Sequence, residues 1–283
     1  MPLVTVYITT CNRLELLKRC VSSILSQTIK DIEVIVVDDF SSDNTKDYLE
    51  EMSHADHRFS YILNDERKGA CYSRNMAIKA AQGEYITGCD DDDYFTKDRV
   101  ETFLKNSSLL NKYSMLYTDS IWIDGQKERK ANINKFAGNT PSANDLIFFN
   151  FVGNQVFMKS EILKKYLFDE SMPAWQDLEC WFRILRRERK HAYRLNVFNY
   201  YQDISHEYGR ISDGKKDRVL DAYNLFCYKH ELSSSEKKSL KCHFFNYGFG
   251  KEFFIKSTFY SLITRPTMFK IILTLRNAKV LYS

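Results

Sequence analysis

The sequence predicts an α/β fold in which helices cover both faces of a mostly parallel, Rossmann-like sheet. The first observation is that short β-branched apolar runs alternate with segments of helical spacing over about residues 3–110. The second is that polar clusters follow three of these predicted strands. Parallel strands bring their carboxyl ends to one sheet edge, where open α/β sheets bind ligands. We therefore expect a single ligand site at that edge.

The predicted elements of the first half are short and closely spaced. Apolar runs predict strands at 4–9, 32–37, 59–63, 85–87 and 115–117. Helical spacing predicts helices at 14–25, 44–52, 70–81 and 97–110. Gly83 is expected to cap the third of these helices.

The second half of the chain is less regular. Strands are expected at 152–158 and 191–200, a helix at 177–189, a polar loop at 201–216 and helices from there to the end. These patterns divide the chain into a catalytic domain at 1–216 and a helical C-terminal region at 217–283. Within the catalytic domain we expect a donor half at about 1–110 and an acceptor half at about 111–216.

Composition excludes several classes of protein. The seven cysteines are odd in number and no pair has CxxC spacing, which argues against a zinc cluster and a disulfide framework. The net charge of +4 is too small to indicate a nucleic-acid partner. The N-terminus lacks signal-peptide features, and no apolar run is long enough for a transmembrane helix. These features predict a cytoplasmic protein.

Positive charge is concentrated near the C-terminus. Residues 237–283 contain nine Lys or Arg and a single acid, Glu252. Aromatic residues are interleaved with these bases, and basic amphipathic helices of this type lie on anionic membrane surfaces. Two interpretations remain open: a peripheral membrane contact, or a helical cap that packs on the core.

Asp90, Asp91, Asp92 and Asp93 form the most distinctive local feature and directly follow a predicted strand. Four adjacent carboxylates repel one another unless a cation or water screens them. Carboxylate oxygens suit hard ions such as Mg²⁺ or Mn²⁺, which can neutralise a departing diphosphate. The alternative is a solvated acidic turn.

Two further clusters accompany the acidic run. Asp39 ends the second predicted strand and could accept a hydrogen bond from a base or ribose, although helix capping would also explain it. Arg74 lies in the Gly69–Asn75 segment that opens a predicted helix, and a helix N-terminus with an arginine is a ready anion site. An ordinary surface helix start is the alternative.

Taken in order, these segments resemble family 2 of the inverting glycosyltransferases, which have the GT-A nucleotide-sugar-binding fold. The matching segments are Thr9-Thr10-Cys11-Asn12-Arg13, Val37 to Asp43, Gly69 to Asn75, and Gly83 to Ile86 leading into Asp90 to Asp93. Each segment is weak alone, but their order and spacing match over roughly residues 3–110. The resemblance is looser in the second half and nearly absent in the last fifth of the chain.

The resemblance implies roles for individual residues. Thr9, Cys11, Asn12 and Arg13 would line a uracil and ribose pocket. Asp39 would bond the uracil edge, Arg74 would lie near the donor phosphates or sugar, and Asp91 would contact ribose or donor sugar. Asp90 and Asp92 would form the DxD pair that holds Mn²⁺ or Mg²⁺, with Asp92 the direct ligand.

The resemblance also implies a catalytic base at a helix start in the second half. Asp177 matches it, Gln176 replaces the usual Glu, and Glu179 is the alternative base. Trp175, Gln176 and Glu179 would contact the acceptor, with Trp175 able to stack on a sugar face. His206 would lie on a loop over the diphosphate as a further metal ligand.

The expected activity is a metal-dependent, inverting transfer of one sugar from a UDP-sugar to an acceptor hydroxyl. The signature and transmembrane helices of processive relatives are missing, which favours single addition. The expected acceptor is an undecaprenyl-diphosphate-linked glycan of O-antigen, capsule or another bacterial surface polysaccharide, at the inner face of the membrane. The alternatives are a nucleotidyltransferase and a non-catalytic sugar-binding module.

Overall fold

The computed structural model describes residues 2–131, 138–205, 216–249 and 271. Within these residues it contains nine strands: β1 Val4–Thr10, β2 Ile32–Asp38, β3 Phe59–Leu63, β4 Tyr85–Asp90, β5 Tyr94–Phe95, β6 Met115–Asp124, β7 Lys127–Lys130, β8 Phe157–Lys159 and β9 Ala192–Asp203. The helices are α1 Leu14–Leu25, α2 Thr45–Ala55, α3 Ala70–Ala80, α4 Arg99–Lys105, α5 Ala143–Leu146, α6 Ser160–Tyr166, α7 Gln176–Glu188, α8 Lys216–Lys229 and α9 Ser234–Leu240. Two 3₁₀ segments cover Ser107–Asn111 and Lys241–Tyr247.

The strands form one sheet in the order β3-β2-β1-β4-β8-β6-β9-β5, with β7 paired to β6. The first four strands are parallel, as predicted. From β8 onward the sheet is mixed, because β8 runs antiparallel to both β4 and β6, and β5 runs antiparallel to β9. The expectation of an α/β fold is confirmed, and its parallel character holds mainly in the first half.

Alternate residues of the central strands feed two hydrophobic clusters on opposite faces of the sheet. Val4, Val6 and Ile8 of β1 belong to one cluster together with the buried face of α1. Tyr7, between them in sequence, belongs to the other cluster with α3 and α7. This alternation follows from the two-residue period of a strand, and it confirms that helices cover both faces.

Two local predictions need correction. The expected strand at 152–158 is reduced to Phe157–Lys159, because the polar residues that precede it turn towards β4 instead of continuing the ladder. Gly83 does not cap α3, which ends at Ala80 with Ala81 as its cap. A Cβ at Gly83 would lie 2.5 Å from the Thr5 backbone nitrogen, so glycine is needed there for close packing against β1.

The described part of the C-terminal region packs on the catalytic body. Phe226, Leu240 and Phe244 are buried in the same cluster as α7. His243 is buried and its Nε2 donates to the Leu146 carbonyl at 2.9 Å. Residues 216–249 therefore form a packed helical cap, whereas the rest of the basic stretch, apart from Ile271, lies outside the described residues and both interpretations stay open for it. In the part of the chain that the structure covers, no helix is both long and apolar enough to cross a membrane.

Candidate active site

The ends of three parallel strands meet as predicted. Thr9 of β1 is in register with Val37 of β2 on one side and with Asp90 of β4 on the other. The Thr9–Arg13 segment, the Asp38-Asp39 pair and the acidic run therefore lie side by side at one sheet edge. Sequence positions some eighty residues apart form a continuous polar surface.

The loop after β1 is held by the loop after β2. Asn12 has a left-handed backbone with φ of 57°. Its amide donates to Ser41 Oγ at 2.8 Å, and its Oδ1 accepts the Ser42 amide at 2.6 Å. Cys11 Sγ contacts the Asp39 carbonyl at 3.3 Å. Asn12 and Cys11 therefore hold the loop after β1 against the loop after β2 at this sheet edge.

Asp39 anchors the entry to α3. Its carboxylate accepts the Lys68 and Gly69 amides at 2.8 and 2.9 Å, and the side chains of Asn64 and Ser73 at 2.8 and 3.3 Å. A carboxylate offers about four acceptor positions. Three of these bonds go to Oδ1 and only the Gly69 amide donates to Oδ2, so Oδ2 keeps an acceptor position for a further donor. The predicted contact stays a prediction, and the observed role is structural.

Asp90 is oriented by side chains from the second half of the chain. Asn154 Nδ2 donates to its Oδ2 at 2.6 Å and Gln155 Nε2 to its Oδ1 at 2.9 Å. Arg74 Nη2 approaches Oδ1 at 3.3 Å. A Cβ at Gly88 would lie 2.0 Å from Gln155 Oε1, so glycine at that position of β4 makes room for Gln155.

Arg13 carries the positive charge nearest the middle of the acidic run. Its guanidinium contacts Asp91 Oδ1 at 2.5 Å and Oδ2 at 3.0 Å, and Asp92 Oδ2 at 2.9 Å. Burial raises the pKa of Asp91 to about 7, against the opposing effect of Arg13. The structure thus places Arg13 on the carboxylates. Its expected position in the nucleoside pocket remains a prediction.

Asp93 joins the acidic run to β9. Its Oδ2 accepts the Tyr200 hydroxyl at 2.7 Å and Asn154 Nδ2 at 3.2 Å, and its Oδ1 accepts the Asp203 amide at 3.1 Å. Burial, together with the charges of Asp92 and Asp90, raises the pKa of Asp93 well above its usual value. Asp93 is therefore an internal brace for the acidic turn.

The acidic run fits a divalent cation. Asp90, Asp92 and Asp93 each place a carboxylate oxygen within 4.8 Å of the others. The side chains of Asp90 and Asp92 are 23% and 19% exposed, whereas Asp93 is buried. Oxygen ligands at the solvent edge suit Mg²⁺ or Mn²⁺, which keep waters and phosphate oxygens in their coordination shell. Asp90 and Asp92 are the better placed pair.

Arg74 connects the acidic run to the start of α7. One of its nitrogens approaches Asp90, and Nη1 donates to Gln176 Oε1 at 3.1 Å. Asp177 follows directly and is half-buried, with its Oδ2 accepting Asn150 Nδ2 at 3.1 Å. Burial raises the pKa of Asp177, and the Arg74 charge only partly offsets this rise. A carboxylate with a raised pKa is suited to proton transfer.

Glu179 and Trp175 are placed differently from Asp177. Glu179 is 1% exposed and pairs with Arg183 at 2.8 Å and His230 at 3.0 Å. Trp175 is buried against the rings of His243, Phe244 and Tyr247. Both side chains are held by this packing in the free chain, and the acceptor contacts expected for them stay predictions. Both stabilise the fold around α7.

The remaining predicted residue, His206, lies outside the described residues. Sequence reasoning missed Asn150, Asn154, Gln155 and Tyr200, which contact the site carboxylates. One signal was available: Asn150 and Gly153-Asn154-Gln155 interrupt an otherwise apolar stretch from Ile147 to Met158. A polar run inside a buried stretch indicates polar groups that need partners.

Comparison with known proteins agrees with this geometry. The sequence profile of glycosyl transferase family 2 matches residues 5–167. The chain belongs to this family. It is 32% identical over 233 residues to the putative colanic acid biosynthesis glycosyl transferase WcaA of Escherichia coli, covering 81% of this chain and 82% of that protein. It is 28% identical over 281 residues to the GalNAc(5)-diNAcBac-PP-undecaprenol beta-1,3-glucosyltransferase of Campylobacter jejuni, covering 86% and 88%.

Solved structures show the same fold as this family member. TarS of Staphylococcus aureus, residues 1–349 with UDP-GlcNAc, superposes with a TM-score of 0.69 at 17% identity, over 92% of this chain and 81% of that one. The mannosyltransferase PcManGT of Pyrobaculum calidifontis, with GDP-Man and Mn²⁺, gives 0.64 at 16% identity, over 100% and 81%. The GT-A fold expected from the sequence is confirmed.

Proposed function

We propose that this glycosyltransferase moves one sugar from a UDP-sugar to an acceptor hydroxyl with inversion, using Asp177 as the base. The observation that carries the proposal is the Arg74 bridge, which joins Asp90 of the acidic run to the helix turn that bears Asp177. This bridge holds a cation-binding cluster and a carboxylate of raised pKa on one polar surface. A diphosphate leaving group and an attacking hydroxyl need these two functions side by side.

The chain's own residues divide the chemistry between them. Asp177 accepts the proton of the acceptor hydroxyl as that oxygen attacks the anomeric carbon, and Asn150 keeps its carboxylate oriented. Asp90 and Asp92 would hold Mn²⁺ or Mg²⁺, which when bound supplies positive charge toward the departing diphosphate. Arg74 adds a fixed positive charge between the two groups. A single displacement of this kind converts an α-linked donor into a β-linked product.

The names of relatives support a lipid-linked acceptor. The Campylobacter relative is named for a substrate carried on diphospho-undecaprenol and for a beta-1,3 bond, and the Escherichia coli relative for colanic acid biosynthesis. We therefore propose a polyprenyl-diphosphate glycan of a bacterial surface polysaccharide as the acceptor. Contact with the inner membrane face, through the basic residues beyond 249, is part of this proposal.

The first test is UDP release from a panel of UDP-sugars, with GDP-mannose included, in Mn²⁺, Mg²⁺ or EDTA. We expect slow hydrolysis of one UDP-sugar that needs a divalent ion and is lost in Asp92→Ala. Asp124→Ala is the matched control, because Asp124 is half exposed and pairs only with Arg129 among the described contacts. Release that is insensitive to EDTA and to Asp92→Ala would contradict the metal assignment.

Acceptor and membrane contact are tested separately. Purified polyprenyl-diphosphate sugars should accelerate UDP release, and NMR of the product should show a β-anomer. Flotation with anionic vesicles should recover the full chain but not a chain ending at residue 249, which keeps the packed cap. Equal flotation of the two chains would remove the membrane contact from the proposal and leave the transfer reaction standing.

A further inference from the structure

Arg13 places positive charge beside the Asp90, Asp92 and Asp93 oxygens that could hold a divalent ion. Its guanidinium spans Asp91 and Asp92, and Asp92 is the residue proposed to ligate the metal. A cation bound to Asp92 would face the full positive charge of Arg13 at short range. The two cations therefore compete for the same carboxylate as long as Arg13 stays where it is.

The backbone aims Arg13 at this position. The left-handed conformation of Asn12 is uncommon for a residue other than glycine and is held by bonds to Ser41 and Ser42. Arg13 follows as the N-terminal flanking residue of α1. Its direction is thus determined by the loops after β1 and β2, which the proposed function places beside the nucleotide, so a bound nucleotide would lie near the Arg13 side chain.

Of the three charged side chains in this contact, that of Arg13 is the most exposed. Asp91 is fully buried, and the Asp92 backbone is fixed by Arg19, whose Nη2 donates to the Asp92 carbonyl at 2.6 Å. The Arg13 side chain is 25% exposed. Guanidinium groups bind phosphate oxygens through two parallel hydrogen bonds as readily as they bind carboxylates. A diphosphate beside the acidic run offers Arg13 such a partner.

We propose that Arg13 is an internal counter-cation that couples metal binding to binding of the nucleotide diphosphate. In the free protein its single positive charge offsets part of the negative charge of Asp91 and Asp92 and weakens binding of a divalent ion. A bound diphosphate draws the guanidinium away, which removes its repulsion of an ion at Asp92. The inference rests on the proposed function, because it takes the acidic run as the metal site, and it assigns Arg13 to the diphosphate instead of the uracil and ribose.

The test compares wild type, Arg13→Gln and Arg13→Lys in two binding measurements. Binding of Mn²⁺ alone is followed by electron paramagnetic resonance, and UDP binding is measured by calorimetry with excess Mn²⁺ and with EDTA. Lys18→Gln is the matched control, since it removes a positive charge from α1 at a side chain that pairs with the exposed Glu15. Melting temperatures establish that each variant is folded.

Wild type should bind UDP more tightly with Mn²⁺ than with EDTA, by a factor within the usual coupling range of about 5- to 150-fold. Arg13→Gln should bind Mn²⁺ alone more tightly than wild type, and its ratio of UDP affinities should be several-fold smaller. Arg13→Lys should lie between them, because an ammonium lacks the planar fork that spans two carboxylates. If Arg13→Gln does not fold, the comparison of Arg13→Lys with wild type still tests the inference.

The outcomes separate the two proposals. If wild type binds UDP equally with Mn²⁺ and EDTA, the proposed metal site fails and the Arg13 inference fails with it. If wild type shows the metal effect but both Arg13 variants match it in Mn²⁺ binding and in the UDP ratio, only the Arg13 inference is overturned. If Lys18→Gln shifts binding as much as Arg13→Gln, the effect is a general loss of charge and the inference is likewise overturned.

Discussion

The acidic run after β4 and the start of α7 both present buried or half-buried carboxylates, but their surroundings differ. Asp90 and Asp93 receive hydrogen bonds from Asn154, Gln155 and Tyr200, which lie in the second half of the chain. Asp177 receives one described side-chain bond, from Asn150. The acidic run is thus braced by several side chains from the second half, whereas Asp177 has one such donor, and burial raises the pKa of Asp91, Asp93 and Asp177 alike.

Within α7 the same contrast appears over two residues. Burial raises the pKa of Asp177, with Arg74 as the main opposing charge. Burial would also raise the pKa of Glu179, but hydrogen bonds from His230 and Arg183 outweigh it, and the pKa of Glu179 is lowered. Two carboxylates two residues apart on one helix therefore have pKa values shifted in opposite directions, which supports the proposed base role for Asp177 and not for Glu179.

The largest expected effect is that of Asp177→Asn. Removing a general base typically slows the reaction by about 10²- to 10⁴-fold, and the isosteric amide should leave UDP binding unchanged. Single-turnover transfer and UDP calorimetry measure the two properties. Transfer within a few-fold of wild type would show that Asp177 is not the base, and the functional difference between the two regions would then be unsupported.

Glu179→Gln tests the structural side. Loss of charged hydrogen bonds in a buried ion pair should lower the free energy of unfolding by about 2–3 kcal/mol, measured by denaturant titration at neutral pH. Transfer by the folded variant should stay close to wild type. A variant of unchanged stability but abolished transfer would reverse the roles of the two carboxylates.

The pH dependence of this loss has a defined sign. The folded-state pKa of Glu179 lies below the unfolded value of about 4.3, so its carboxylate stabilises the fold above that pH. The stabilisation is lost as the pH falls through the folded pKa. Wild type and Glu179→Gln should therefore differ most at neutral pH and converge in acid.

Gly88→Ala should have a smaller effect and acts on the acidic run. The added Cβ would overlap Gln155 Oε1 and the Tyr7 ring, so Gln155 has to move away from Asp90. Overpacking of this kind costs about 1–3 kcal/mol, and metal-dependent UDP release should weaken as well. Gly138→Ala is the control, since no atom lies within 4 Å of its added Cβ. Equal stability of the two variants would show that β4 has room to adjust.

The sequence predicted the strands that end at the site better than the side chains that brace the acidic run. Strands β1 to β4, their parallel order and the convergence of Thr9, Asp39 and Asp90 followed from local periodicity, because each strand is a short apolar run ending in a polar cluster. The braces of the acidic run did not follow, since Asn154 and Tyr200 reach it across sequence separations of 64 and 107 residues. No local pattern encodes such pairings.

The roles of single residues were hard to predict for a related reason. Gly83 follows a predicted helix, as a capping glycine would, but its purpose is close contact with Thr5 far away in sequence. Glu179 looked equivalent to Asp177 because both lie in the first turn of α7. Their difference depends on His230 of the C-terminal cap, which only the folded chain brings near.

The smallest expected effect concerns the pH profile of transfer. Asp177 acts as a base only when it is ionised, so activity should fall as the pH is lowered through its pKa. Because burial raises this pKa, the acid limb of the pH profile should lie above the usual aspartate value of about 4. Asn150→Ala removes the donor that favours the charged form, which should move this limb to higher pH and leave the alkaline plateau nearly unchanged. Asn144→Ala, at an exposed position of α5, should not move the limb. If Asn150→Ala leaves the pH profile unchanged while Asp177→Asn abolishes transfer, Asp177 remains the base. Its pKa would then be determined by burial and Arg74, without a contribution from Asn150.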